Sequence, residues 1–339
     1  MTDRAETAAA GRLVAISDLQ EPVRAELDLV QQELVRFFAS SDVALINQIA
    51  DHVVLTVGKR MRPTLTLLAA RLAAPEVTRE VIVSATIVEL IHTATLVHDD
   101  SIDRSYLRRG LPTVNSIWND QTAVIMGDYL YSKGFFLLRE HGLWEVMGIL
   151  AGTTYRMSIG EMLELEKKRD LATTEATYLK MIDEKTATLI AAACEIGGFL
   201  TFGDGKERQA LHRFGTELGM AFQITDDLLD FVGDSGHIGK STGADIRDGK
   251  ITLPLIHALR QAPAERAHAI GELILAPEIA EPAWNAIFDF TAEFGGLDYG
   301  REMARHYADR AVQALDVFDD SPIKSTLAAA VDYVVHRRR

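Results

Sequence analysis

Cysteine is nearly absent. Cys194 is the single example in 339 residues, so no disulfide can form within the chain and thiolates cannot build a zinc site. That usage fits a reducing compartment, and a cytoplasmic location is the expectation. Proline is sparse as well, with nine residues, which leaves room for long uninterrupted helices. Basic residues are in deficit: 35 Lys and Arg stand against 49 Asp and Glu, a formal charge of −14. Such a surface repels phosphate backbones, which argues against general nucleic-acid binding, and any polyanionic ligand must meet a local basic cluster. No clean membrane span occurs either. The nearest, "TATLIAAACEIGGFLTFG" at 186–203, is interrupted by Glu195 and the Gly197-Gly198 pair and reads as a buried helix. The first twenty residues have no long apolar stretch and do not read as a secretion signal.

What is present is helix. Hydrophobic residues make up 47% of the chain, enough for a sizeable core. They recur at three- and four-residue steps, as in Leu179, Ile182, Thr186, Leu189 and Ala193, a helical stripe. Helices are expected at 21–38, 43–56, 62–73, 77–103, 120–140, 143–168, 174–200 and 206–232, and shorter ones from 251 to 336. No fixed-period repeat or linker stands out. The expected organisation is a disordered segment over 1–20 followed by one large all-α domain over 21–339.

Two acidic clusters carry the chemistry. The helix "VIVSATIVELIHTATLVHDDSID" (81–103) is apolar on nearly all sides. His92, Asp99 and Asp103 fall on it within about 40° of one another, with the two carboxylates one turn, roughly 6 Å, apart. Like charges on a buried helix need a neutralising cation, and Mg²⁺ suits oxygen ligands while keeping positions for phosphates. An exposed acidic helix end would explain one such cluster alone. The arrangement returns in "FQITDDLLDF", where Gln223, Asp227 and Asp230 share a helix face with Asp226 beside it. Short basic islands complete the set: "GKRMRP" (58–63), "RRG" (108–110), "EKT" (184–186), "GKST" (239–242) and "DGK" (248–250). "GKST" lacks the upstream glycine of a P-loop, which leaves nucleotide binding without support. No Ser/His/Asp or Cys/His nucleophile set is apparent. Two metal sites and several isolated cations point to a pair of diphosphate substrates.

These motifs, together with "MGDYLYSKGF", "EKTATL" and "GKSTGADIRDGKITLPL" in the same order, resemble the trans-isoprenyl (polyprenyl) diphosphate synthases from about residue 25 onward. The resemblance implies an all-α isoprenoid synthase fold, a bundle of antiparallel helices around a deep central cavity, usually homodimeric. It implies Mg²⁺-dependent head-to-tail condensation of isopentenyl diphosphate with an allylic prenyl diphosphate and release of pyrophosphate. By matching positions, Asp99, Asp103, Asp226, Asp227 and Asp230 would hold several Mg²⁺ ions. Arg108, Lys185, Thr186, Gln223, Lys240 and Lys250 would surround the allylic diphosphate. Lys59, Arg62, His92 and Arg109 would grip isopentenyl diphosphate.

In this family a large aromatic residue four or five positions before the first aspartate stops chain growth early. Ala94 and Thr95 stand there, which implies a long product, with farnesyl or geranylgeranyl diphosphate as starter. A geranylgeranyl product stays open, as do a class I terpene cyclase and a subunit of a heteromeric synthase. The resemblance carries no transmembrane segment; transient membrane association for product release is compatible with it. The C-terminal "VVHRRR" reads as a solvated tail.

Overall fold

The computed structural model describes residues 13–38, 41–55, 58–232 and 243–337. Lys240 and the whole "GKST" island lie outside the described residues. Helix follows helix in chain order: α1 (Ile16–Gln20), α2 (Arg24–Phe38), α3 (Ala44–Leu55), α4 (Met61–Arg71), α5 (Arg79–Ile102), α6 (Val114–Ile117), α7 (Asp120–Glu140), α8 (Trp144–Lys167) and α9 (Glu175–Ile182). A π-helical turn over Asp183–Ala187 joins α9 to α10 (Thr188–Phe202). Then come α11 (Lys206–Val232), α12 (Ala244–Arg247), α13 (Leu253–Gln261), α14 (Ala264–Leu275), α15 (Glu281–Glu293), α16 (Gly296–Ala314) and α17 (Pro322–His336). The one sheet among the described residues is a two-stranded hairpin, β1 (Leu107–Arg108) with β2 (Leu111–Pro112).

The architecture follows from which helices are apolar all round. Residues 81–91 of α5 and 188–194 of α10 are buried without a break, so both run through the interior with other helices on every side. α7 lies antiparallel to α5, since Thr95 meets Tyr131 while His98 meets Val124. α10 and α11 are antiparallel too: Glu195 pairs with Arg208, and Thr186 with Gln223 at the other end. α16 continues the layer against α11, and α13–α15 close a separate apolar cluster around Ile287, Phe290 and Trp284. The most apolar windows of α5 and of Glu175–Phe202 are long enough to cross a membrane, but 72% and 61% of them is buried inside the protein, which makes them core helices.

Two features depart from expectation. Disorder over 1–20 does not extend through residue 20: α1 forms, and Leu19 is enclosed in the main core, because a single buried leucine gives the segment about 2 kcal/mol of docking energy. The stretch after α5, for which no element was expected, folds back as the β1–β2 hairpin. Arg104 and Arg109 hold left-handed backbone at its base and tip, a conformation uncommon outside glycine.

Candidate active site

A basic cavity of about 390 Å³ opens where the loop before α4, the flank of α5, the hairpin and α17 meet, lined by Lys59, Arg60, Arg62, His92, Arg108, Arg109 and Arg337. The "GKR" island works through its glycine: a Cβ on Gly58 would lie 2.7 Å from Arg109 Cζ, so only glycine lets that guanidinium lie across the loop. Arg60 donates to Glu89 at 2.7 Å and to Gln31 at 2.9 Å. Arg62 Nη1 donates to His92 Nε2 at 3.0 Å. Burial, and then the Arg62, Arg109, Arg108 and Arg60 charges, hold the His92 pKa well below its ordinary value.

The imidazole therefore stays neutral in the folded chain while the unfolded chain takes up a proton near pH 6.5. Its contribution to stability is complete above that pH and is lost as pH falls toward the folded value. His92→Gln should remove up to about 1.4 kcal/mol per pH unit of acid sensitivity; melting temperatures of both proteins between pH 7.5 and 5 check it.

Arg108 faces the same cavity, where it contacts both oxygens of Asp100, Nε to Oδ1 at 2.8 Å and to Oδ2 at 3.0 Å. The middle aspartate of the first motif is thus an internal ion-pair partner, and it keeps Arg108 on the side of Arg62 and Arg109.

On the adjoining arc of α5 lies a larger cleft of about 950 Å³, between α5, α7 and α8. His92, Leu96 and Asp100 face the basic cavity, while Thr95, Asp99 and Ile102 face the cleft. The polar line His92–Asp99–Asp103 marks the border between them. Asp99, Glu161 and Lys185 stand at one end, with Tyr131, Phe135, Ala151, Thr154 and Met157 beyond. From Glu161 to Ala151 is ten residues of α8, about 15 Å.

Thr95 lines this cleft and bonds Tyr131 Oη at 2.7 Å. Ala94 does not line it, contrary to the sequence-based expectation: one residue turns a helix by about 100°, and Ala94 is enclosed in the core with Leu90, Met126 and Leu130.

Lys185 and Thr186 sit in the π turn, an irregularity that often accompanies functional positions. Gly160 of α8 presses against it, so that a Cβ there would lie 2.8 Å from Lys185 Cα and closer still to its amide nitrogen. Lys185 Nζ is held by Glu161 at 2.7 Å and Glu164 at 2.8 Å, and Lys250 reaches Glu164 at 3.5 Å and Asp245 at 3.8 Å. Burial alone would lower both lysines; Glu164 with Glu161 raises Lys185, and Glu164, Asp245, Asp103 and Asp227 raise Lys250. Lys250 therefore feels both acidic motifs.

In the second motif the three aspartates diverge. Asp227 is buried and accepts from Tyr178 Oη at 2.6 Å and Gln223 Nε2 at 2.8 Å, and Thr186 Oγ1 donates to Gln223 at 2.9 Å. Asp226 turns to the basic cavity and pairs with Arg337 at 3.0 Å. Asp230 accepts the backbone amides of Ala244 and Asp245 at 3.1 and 3.0 Å, capping α12. The reading of the C-terminus as a solvated tail is overturned at Arg337, whose side chain is 7% exposed and lies 3.8 Å from the Phe222 ring centre.

Among the described residues no three His, Cys, Asp or Glu side chains already converge on one metal position. The electrostatics nevertheless fit a divalent cation. Burial, then Glu161, push the Asp99 carboxyl up to about 7 against the pull of Lys185. Burial, then Asp245, push Asp227 well above the carboxylate range. A hard dication bound by these oxygens would relieve both penalties.

The "Polyprenyl synthetase" family model matches residues 43–286. The chain belongs to that family. It is 36% identical over 303 residues to the octaprenyl diphosphate synthase of Escherichia coli (strain K12), covering 88% of this polyprenyl synthetase and 92% of the relative. Its fold matches a decaprenyl diphosphate synthase from Rhodobacter capsulatus with a TM-score of 0.88 and 37% identity, covering 96% of this chain and 100% of that one. A polyprenyl synthase from Caulobacter crescentus, complexed with calcium and isoprenyl diphosphate, also superposes with a TM-score of 0.88, at 35% identity over 97% and 99% of the two chains.

Several residues of this polyprenyl synthetase's site escape a reading of its sequence. Asp100 and Arg337 pair with partners that only the fold brings near. Glu161 and Glu164 had a signal, two carboxylates three apart on one face of α8. Tyr178 had none.

Proposed function

We propose that this polyprenyl synthetase is a Mg²⁺-dependent prenyltransferase that condenses isopentenyl diphosphate head-to-tail with farnesyl or geranylgeranyl diphosphate, giving a long all-trans polyprenyl diphosphate. The observation that carries the reading is the pair of chambers flanking α5. One is lined by a surplus of cations, its three carboxylates Glu89, Asp100 and Asp226 each paired with an arginine, and the other is apolar with acids and Lys185 at its mouth. Lys59, Arg62, His92 and Arg109 hold the isopentenyl diphosphate, joined by Arg108, which the resemblance gave to the allylic group. Lys185, Lys250, Thr186 and Gln223 take the allylic diphosphate, and Lys240 belongs with them by sequence position.

Mg²⁺ bound to Asp99, Asp103, Asp226 and Asp227 would supply charge neutralisation for the leaving diphosphate. Asp230 would join once it releases α12. The cations around the leaving group favour heterolysis of the allylic C–O bond, whose electron pair departs with pyrophosphate. The isopentenyl double bond attacks the allylic carbon, and the proton lost to re-form an alkene passes to the released pyrophosphate. Apolar walls keep water from the cation.

Product length rests on the cleft. One isoprene unit is roughly one helical turn, about 5 Å, so about three units fit between Glu161 and Ala151. Further units extend past Ala151, since Val124 and Met162 lie back at the mouth beside His98 and Glu161. A product of roughly thirty to fifty carbons, six to ten such turns, is the expected outcome when each allylic starter is supplied to the purified chain and the dephosphorylated products are separated. Thr95→Phe places a ring in the cleft and should shorten the longest product by at least one unit; an unchanged product would remove Thr95 from the account. Ala94→Phe should overpack the core and cost about 1–3 kcal/mol of stability.

A homodimer is proposed because every exposed residue of α8 between Gly148 and Leu165 is uncharged, a composition suited to an obligate interface. We place the enzyme in the cytoplasm as a single domain from α2 onward, with transient membrane contact as the product leaves. Hydrocarbon formed without consumption of isopentenyl diphosphate would instead mark a cyclase.

A further inference from the structure

Tyr178 lies on α9 with its side chain fully enclosed. A core position that only fills space is served as well by phenylalanine, and a buried hydroxyl commonly finds a backbone carbonyl. Here the hydroxyl donates to a carboxylate from another helix, Asp227 Oδ2, at 2.6 Å. The other oxygen, Oδ1, accepts from Gln223 Nε2 at 2.8 Å, and Gln223 is itself fixed through Oε1 by Thr186 at 2.9 Å. With one donor on each oxygen, the carboxylate cannot rotate about Cβ–Cγ without breaking both bonds. Each oxygen keeps lone-pair capacity for another partner.

We propose that Tyr178 is a positioning residue for the divalent cation, holding the Asp227 carboxylate in one orientation from behind while its free lone pairs serve the metal. This rests on the reading of Asp227 as a metal ligand. Partners of ligating carboxylates commonly matter 10- to 100-fold in metal affinity, and Tyr178→Phe removes the hydroxyl without changing the shape of the core.

The test is Mn²⁺ binding followed by electron paramagnetic resonance in the presence of inorganic pyrophosphate, well below each variant's melting temperature, for the wild type, Tyr178→Phe and Asp227→Asn. The expected result is Mn²⁺ affinity reduced about 10-fold or more by Tyr178→Phe and lost in Asp227→Asn. In turnover, the Mg²⁺ concentration for half-maximal rate should rise in parallel, with the KM for isopentenyl diphosphate at saturating Mg²⁺ unchanged. Tyr178→Phe binding Mn²⁺ like the wild type, while Asp227→Asn does not, would overturn the positioning role and leave the metal reading standing. Wild-type affinity in Asp227→Asn would overturn both. A role confined to packing would shift the melting temperature and leave the Mn²⁺ isotherm in place.

Discussion

Asp227→Asn should reduce turnover at least about 100-fold while leaving the melting temperature of the polyprenyl synthetase unchanged or higher. The two effects share one cause. In the free protein the Asp227 carboxyl is buried and repelled by Asp245 and Asp226, which raises its pKa well above the ordinary range. A neutral amide of the same shape carries no such penalty: its Oδ1 accepts from Tyr178, and its Nδ2 donates to Gln223 Oε1 once that amide turns over to donate to Thr186 Oγ1. What it cannot do is bind a dication as a carboxylate does. Loss of function without loss of stability is the pattern of a residue whose native state is costly to hold. Asp99→Ala should behave alike, since its carboxyl is also raised, to about 7. Near-normal kcat at saturating Mg²⁺ in either variant would falsify the metal assignment.

The second large effect is expected from one methyl group. Gly160→Ala would put a Cβ 2.8 Å from Lys185 Cα and nearer its amide. The atoms it meets are backbone of the π turn, which cannot swing aside as a side-chain end would. Either α8 or the turn must move by several tenths of an ångström, and both carry the site: Glu161 and Glu164 on one, Lys185 and Thr186 on the other. Overpacking of this kind costs about 1–3 kcal/mol, and misplacing a substrate-binding cation by about 1 Å can cost 100-fold in rate. Denaturant unfolding combined with kcat/KM for the allylic diphosphate measures both parts. Wild-type values for Gly160→Ala would show that Lys185 does not depend on this contact.

How much of this was legible in the sequence depended on distance along the chain and on phase around a helix. The apolar runs of α5 and α10 announced buried helices, and "GKRMRP", "HDDSID" and "TDDLLD" announced cations and carboxylates. Their division between two chambers was not visible. Asp99 and Asp100 are neighbours in sequence, yet one faces the cleft and the other binds Arg108. That assignment needs the β1–β2 hairpin to fold back, which no local periodicity encodes. The π turn at Asp183–Ala187 is one residue wider than an α turn and leaves no mark in an apolar pattern. Arg337 reaches Asp226 across 111 residues of chain. Ala94 was misplaced for a simpler reason, since a substrate-facing stripe on α5 is only a few positions per turn wide.

α5 separates the chambers with a single helix thickness, and each of its residues belongs to one side by angle alone. Substitution on such a partition is a local matter. A one-residue insertion or deletion between His92 and Asp99 is not, because it advances everything beyond it by about 100° and 1.5 Å. An insertion would deliver the Asp99 carboxylate to the basic side, and a deletion would draw Asp100 away from Arg108 and into the cleft. The segment therefore has a reading frame in space as strict as the one in its gene, and variation within it should arise by exchange of residues at constant length.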